Sequence, residues 1–98
     1  MKIALLHLDV AEGPETRNRK SIISAAGEAV SRGADWIVTS ETALQGYFFH
    51  DNDRKLPSFS EKQLSGYLLF AGRNKADMFL SAAEYDERDG KGYNSCFV

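Results

Sequence analysis

Trp36-Ile37-Val38-Thr39-Ser40-Glu41 is the stretch that decides how this chain folds. Its first four residues form a short apolar, partly β-branched run ended by polar residues, the pattern of a strand. Nearer the N-terminus, Ile3-Ala4-Leu5-Leu6-His7-Leu8 is a second run, apolar except for His7. Continuous apolarity of this kind reads as a buried parallel strand rather than a half-exposed antiparallel one. Between the two, Ile22, Ile23, Ala26, Ala29 and Val30 recur at spacings of three and four, which puts one apolar stripe on one side of a helix. Asp9 to Glu12 leave the first strand and Gly13-Pro14 turn the chain. Pro14 suits the first helical position, where its missing N–H costs nothing, and Gly33 suits the left-handed position just past the end. Arg17, Arg19 and Lys20 fall off the stripe and are expected in solvent, the run 17–20 forming a charged helix face. Strand, helix, strand over about 40 residues is a βαβ unit, with parallel strands and a right-handed crossover.

Working outward, the segment from Ser40 to Phe59 has no clean period and reads as a long functional loop. Ser60-Glu61-Lys62-Gln63 is a capping-box pattern, with Ser60 as cap and Gln63 reaching back. Leu64, Tyr67, Leu68 and Ala71 follow at helical spacing, which predicts a second helix from about Glu61 to about Lys75. Met78 to Ala82 reads as a third strand. Asp89-Gly90 is a hairpin turn signal, and Tyr93 to Val98 begins a fourth strand. The fold class is therefore α/β, in the order β-α-β-α-β-β, within one domain spanning 1–98.

Composition excludes several classes. The chain has 98 residues, 43% of them hydrophobic and 27% charged, which is ordinary globular composition rather than that of a disordered segment. A net charge of −2 supplies no basic field for a phosphate backbone, so no nucleic-acid partner is expected. One cysteine excludes a disulfide framework and a cysteine-rich zinc site. No apolar run approaches the roughly 18–20 residues of a membrane helix, and the first run is too short for a secretory core. A reducing cytoplasm is the expected compartment.

Glu41 is the leading candidate for chemistry. It follows a buried strand of a βαβ unit at the carboxyl end, where open α/β sheets bind their ligands. With Trp36 behind and Tyr47-Phe48-Phe49 ahead, partial desolvation would make its carboxylate a better general base near neutral pH. The bland alternative is a solvated glutamate at a strand end.

The run from Trp36 through Thr39, Ser40-Glu41, Leu44 and Gly46-Tyr47 resembles the first active-site motif of the nitrilase (carbon–nitrogen hydrolase) family: an apolar strand, Pro-Glu, a leucine, then Gly-Tyr. The resemblance extends outward. Lys2 to Asp9 is similar to that family's first strand. Asn18 with Ile22 resembles its Asn-Leu-x-x-Ile helix start, and Gly33-Ala34-Asp35 matches the Gly-Ala-Asp ahead of its glutamate strand. Gly90-Lys91-Gly92-Tyr93-Asn94-Ser95 resembles its Gly-Lys-x-Tyr-Asn-Ser hairpin. Essentially all of the chain is covered.

The resemblance implies the N-terminal part of an α-β-β-α nitrilase-type sandwich, incomplete at its C-terminal end. It implies a hydrolase of non-peptide carbon–nitrogen bonds (amide, carbamoyl or nitrile) acting on a small molecule through a Glu–Lys–Cys triad, without cofactor or metal, and assembling into homo-oligomers when complete. The glutamate is general base, the lysine stabilises the tetrahedral intermediate and the cysteine is the nucleophile, a division of labour that is chemically sound. Glu41 is the glutamate by this match, and Tyr47 contributes to the substrate pocket wall. The sequence departs from the pattern at Ser40, where the family usually has proline. The family's lysine and cysteine follow the Tyr-Asn-Ser strand, and no residue of these 98 matches either, so this piece alone is expected to be inactive. Cys96, inside an apolar run, is expected as a small buried core residue, and Lys91 as a solvated turn charge.

The remaining polar residues have ordinary readings. His7 is a strand-end or core histidine. His50, Asp51 and Asp53 lack the alternating ligands and glycine of a calcium loop. Glu84 and Asp86 enter a hairpin with nothing to support a glycosidase pair, although Glu84 is a candidate pocket residue. The competing reading of the whole chain is a non-catalytic α/β binding or assembly module, or an inactive truncated copy.

Overall fold

The structure, a computed structural model, describes residues 1–10, 15–46, 61–86 and 88–98, with Glu61 and Tyr85 described by backbone alone. The order is β1 (Ile3–Leu5), α1 (Glu15–Ser31), β2 (Trp36–Val38), α2 (Glu61–Asn74), β3 (Asp77–Asp86) and β4 (Lys91–Phe97). The four strands form one mixed sheet in the order β1-β2-β3-β4. β1 pairs parallel with β2 (Ala4 opposite Ile37), and β2 parallel with β3 (Ile37 opposite Met78). β3 and β4 form an antiparallel hairpin, with Leu80 opposite Phe97 and Ala83 opposite Asn94. The predicted α/β order stands. The capping residue Ser60, the turn Gly13-Pro14 and the stretch Tyr47 to Phe59 lie outside the described residues.

Strand alternation assigns the two faces. Ala4, Ile37, Met78, Leu80, Ala82 and Phe97 share one face by register, and all belong to the cluster packed with Ile22, Ala26 and Ala29 of α1 and Tyr67 of α2. Both helices therefore cover the same side. Ile22 and Ile37 are fully excluded from solvent, and either truncated to alanine costs about 2–5 kcal/mol at such a site.

The opposite face carries Ile3, Leu5, Trp36, Val38, Phe79 and Cys96. Ile3 is 50% and Leu5 69% exposed, while Trp36 and Phe79 stack obliquely with ring centroids 5.1 Å apart. This corrects two expectations. The first strand is not buried on both faces, because no described element covers this side. Cys96 is exposed rather than a core residue, because alternation turns its neighbours Ser95 and Phe97 toward the helices and Cys96 away from them.

Helix α1 ends as its sequence dictates. Gly33 has φ +87°, Gly33 N–H donates to Val30 C=O at 2.8 Å, and Ala34 N–H donates to Ala29 C=O at 3.0 Å. These are the paired bonds of a Schellman ending, which only glycine accommodates without strain. Lys2 ties this end to β1: its backbone N–H donates to Asp35 Oδ2 at 2.7 Å and its Nζ to Arg32 C=O at 2.6 Å. α2 ends similarly, with Ala76 N–H bonded to Ala71 C=O at 3.4 Å, but Lys75 occupies the left-handed position at φ +51°. Lys75→Gly is expected to stabilise the fold by about 0.5–1 kcal/mol, read as a higher denaturation midpoint at unchanged m-value.

Tyr67 is 2% exposed, and its hydroxyl has no hydrogen-bond partner among the described residues. Burial, reinforced by the nearby Glu15 charge and opposed by Arg19, holds its phenol well above the usual range. An unfolded phenol ionises near pH ~10. Folding stability is thus intact below that value and falls above it, as the unfolded chain alone gains a phenolate. In an absorbance titration one of the four tyrosines is expected to ionise only as the helical signal collapses. Tyr67→Phe, which deletes an unpaired buried hydroxyl, is expected to leave the melting temperature unchanged or raised.

Candidate active site

β2 stops at Val38, opposite Phe79, but β3 runs on to Asp86. The backbone groups of β3 beyond that point are met by a compact turn over residues 40–45 rather than by a strand. Thr39 bridges first: its N–H donates to Phe79 C=O at 3.0 Å, and its Oγ1 accepts from Ser81 N–H at 3.0 Å. Leu44 N–H then reaches Ser81 C=O at 3.4 Å. Gln45 makes the last link with both ends of its amide. Its Nε2 donates to Ala83 C=O at 2.5 Å and its Oε1 accepts from Ala83 N–H at 2.9 Å. Thr39, Thr42, Ala43, Leu44, Gln45 and Gly46 are all buried. The expected long functional loop is in its first part a packed, hydrogen-bonded turn.

The turn is strained at one residue. Thr42 has φ +49°, an outlier for a β-branched side chain that costs of order 1–3 kcal/mol. Its Oγ1 is buried and has no hydrogen-bond partner among the described residues. Its N–H donates to Ser81 Oγ at 3.0 Å. Gly46 closes the turn at φ +80°, donating from its N–H to Thr42 C=O at 2.8 Å. Such strain persists only where the surroundings over-determine it, and here it lies immediately after Glu41.

Glu41 stands at the carboxyl end of β2, as its place after the strand predicts, but it is exposed rather than partly desolvated. Asn94 on β4 donates from Nδ2 to Glu41 Oε1. Ser81 Oγ lies 3.4 Å from Asn94 Oδ1. From the other side, Asn18 of α1 donates from Nδ2 to Leu44 C=O at 3.3 Å. Asn18 is 3% exposed, which corrects its expected place on a solvated charged face: it stands four residues before Ile22 and continues the buried stripe. Arg17 and Lys20 are exposed, and Arg19, half-buried, lies 3.7 Å from Glu15.

The other candidates fall elsewhere. Glu84 is half-buried and accepts from Ser95 Oγ at 2.6 Å, on the helix-facing side of the hairpin. Asp86 holds Arg88 at 3.0 Å, and those hydrogen bonds keep its carboxyl below the usual range. His7 and Lys91 are exposed. Tyr47, the expected pocket residue, and His50, Asp51 and Asp53 lie outside the described residues. Among the described residues no three His, Cys, Asp or Glu side chains gather as a metal site, and no helix is long and apolar enough to cross a membrane. Thr39, Thr42, Gln45 and Ser81 were not singled out from the sequence, because their roles depend on how far β3 outruns β2. No family model and no curated protein matches the chain.

Proposed function

We propose that this chain supplies the general base of a hydrolase of non-peptide carbon–nitrogen bonds, acting on small amides, carbamoyl compounds or nitriles. The observation that carries the reading is a convergence. Asn18, Glu41 and Asn94 come from three motifs that resemble the nitrilase family in that order, and all three bear on one turn: Asn18 anchors its buried Leu44 carbonyl, and Asn94 holds the Glu41 carboxylate at its exposed start. A glutamate that merely ends a strand has no need of an asparagine from another strand on its carboxylate and a strained turn behind it that a buried helix asparagine anchors.

The open sheet face supports the α-β-β-α layering of that family. Helices cover one side, while Ile3, Leu5, Trp36, Val38 and Phe79 line the other. A second sheet packed there at about 10 Å would bury them and put a helical layer on each outside. In this reading Glu41 takes the proton of a cysteine thiol and later activates the water that hydrolyses the acyl-enzyme, while a lysine holds the developing oxyanion. That lysine and cysteine belong to chain following the Tyr-Asn-Ser strand. No cofactor takes part, the thiol is kept reduced in the cytoplasm, and assembly into homo-oligomers follows from the same resemblance.

The test is to express the chain with the residues encoded after Val98 and to measure ammonia release from a panel of simple amides, carbamoyl compounds and nitriles. Release that stops on thiol alkylation is the expected result. A folded product that releases no ammonia from any of the three classes would contradict the proposal.

A further inference from the structure

We propose that Asn94 is a positioning residue for Glu41, and that Ser81 sets the orientation in which Asn94 does so. This rests on the reading of Glu41 as the base and adds two residues to its machinery. Four groups close a ring. Thr42 N–H donates to Ser81 Oγ at 3.0 Å, Ser81 Oγ lies 3.4 Å from Asn94 Oδ1, Asn94 Nδ2 donates to Glu41 Oε1, and the Glu41–Thr42 peptide completes the circuit.

The direction of every bond follows from what each group is able to do. A backbone N–H only donates, so Ser81 Oγ accepts from Thr42 and has one proton left to give. That proton goes to Asn94, which requires the carbonyl end of the amide to face Ser81 and the NH₂ end to face Glu41. A carboxylate only accepts, so the reversed amide would set two acceptors against each other. Register explains why these side chains meet. Ser81 and Ala83 share a face of β3, and Asn94 stands opposite Ala83 on the same face of β4. With Oε1 engaged, the carboxylate plane is fixed relative to the sheet, which sets the direction from which the other oxygen meets a thiol. The strain at Thr42 has a role in this scheme, since the turn must deliver that residue's N–H to Ser81.

The test has two arms. In the ¹⁵N-labelled 98-residue chain, one Asn94 side-chain amide proton is expected downfield of the ordinary range. Ser81→Ala and Glu41→Ala are both expected to abolish that signature while the backbone spectrum stays folded. An ordinary Asn94 amide in the unaltered chain, or a signature that survives Ser81→Ala, would overturn the proposal. In the longer chain that carries the triad, Asn94→Ala is expected to lower kcat by about 10²-fold with KM little changed. An unchanged kcat would overturn it equally. The two readings fail separately: turnover without the Asn94 signature removes the positioning role alone, while the signature without any turnover removes the hydrolase reading and the role that depends on it.

Discussion

Glu41→Gln is expected to lower kcat/KM by about 10²–10⁴-fold in the longer chain proposed to carry the triad, the usual contribution of a general base. Glutamine keeps the volume of glutamate, and its amide oxygen still accepts from Asn94 Nδ2. What it lacks is a site for the proton. Because Glu41 is exposed, its replacement removes no core packing, and thermal melting should be nearly unchanged. Steady-state kinetics and a melt on the same preparation separate the two effects. Near-normal turnover would show that Glu41 is not the base.

Gln45→Ala is expected to be the most destabilising single change in the turn, by about 2–4 kcal/mol. The side chain is 4% exposed and supplies both hydrogen bonds of Ala83, itself 2% exposed. Alanine leaves a buried N–H and a buried C=O of β3 without partners, and each such orphan costs roughly 1–3 kcal/mol. For a chain of this size, total stability is about 5–15 kcal/mol, so the loss is a large share of it. Urea denaturation should show a lower midpoint at unchanged m-value. A midpoint within experimental scatter of the unaltered chain would mean that water replaces Gln45 at no cost.

Much of the fold was legible because it is written in periodicity. The α1 stripe, Gly33 at the helix end, the apolar core of β2 and the Asp89-Gly90 turn all follow from local pattern. The misreadings came from non-local facts. Cys96 lies in a strand whose composition reads as buried, but which of its alternate residues faces the helices depends on its pairing with Leu80 and Ser81. Ile3 and Leu5 read as doubly buried because apolarity shows that a face wants covering, not what covers it. Asn18 lay within a charged run, and only its spacing to Ile22 marks it as inward. In the candidate site, Glu41 was legible from its place after a strand and from a resemblance. Its supports were not, because Thr39 and Gln45 act by replacing backbone partners that β2 does not supply to β3, and Ser81 by accepting the Thr42 N–H of the turn that results. That is a property of strand lengths in space, and it leaves no local signature.

The proposed role of Glu41 is to serve cysteine-based hydrolysis of a carbon–nitrogen bond. Intact-mass measurement of the triad-bearing chain, quenched during turnover of an amide, tests it most directly. A covalent adduct with the mass of the substrate's acyl group is expected, formed in the unaltered protein and absent in Glu41→Gln. Amide hydrolysis proceeding with no adduct at any quench time, or an adduct that forms equally fast without the Glu41 carboxylate, would contradict it.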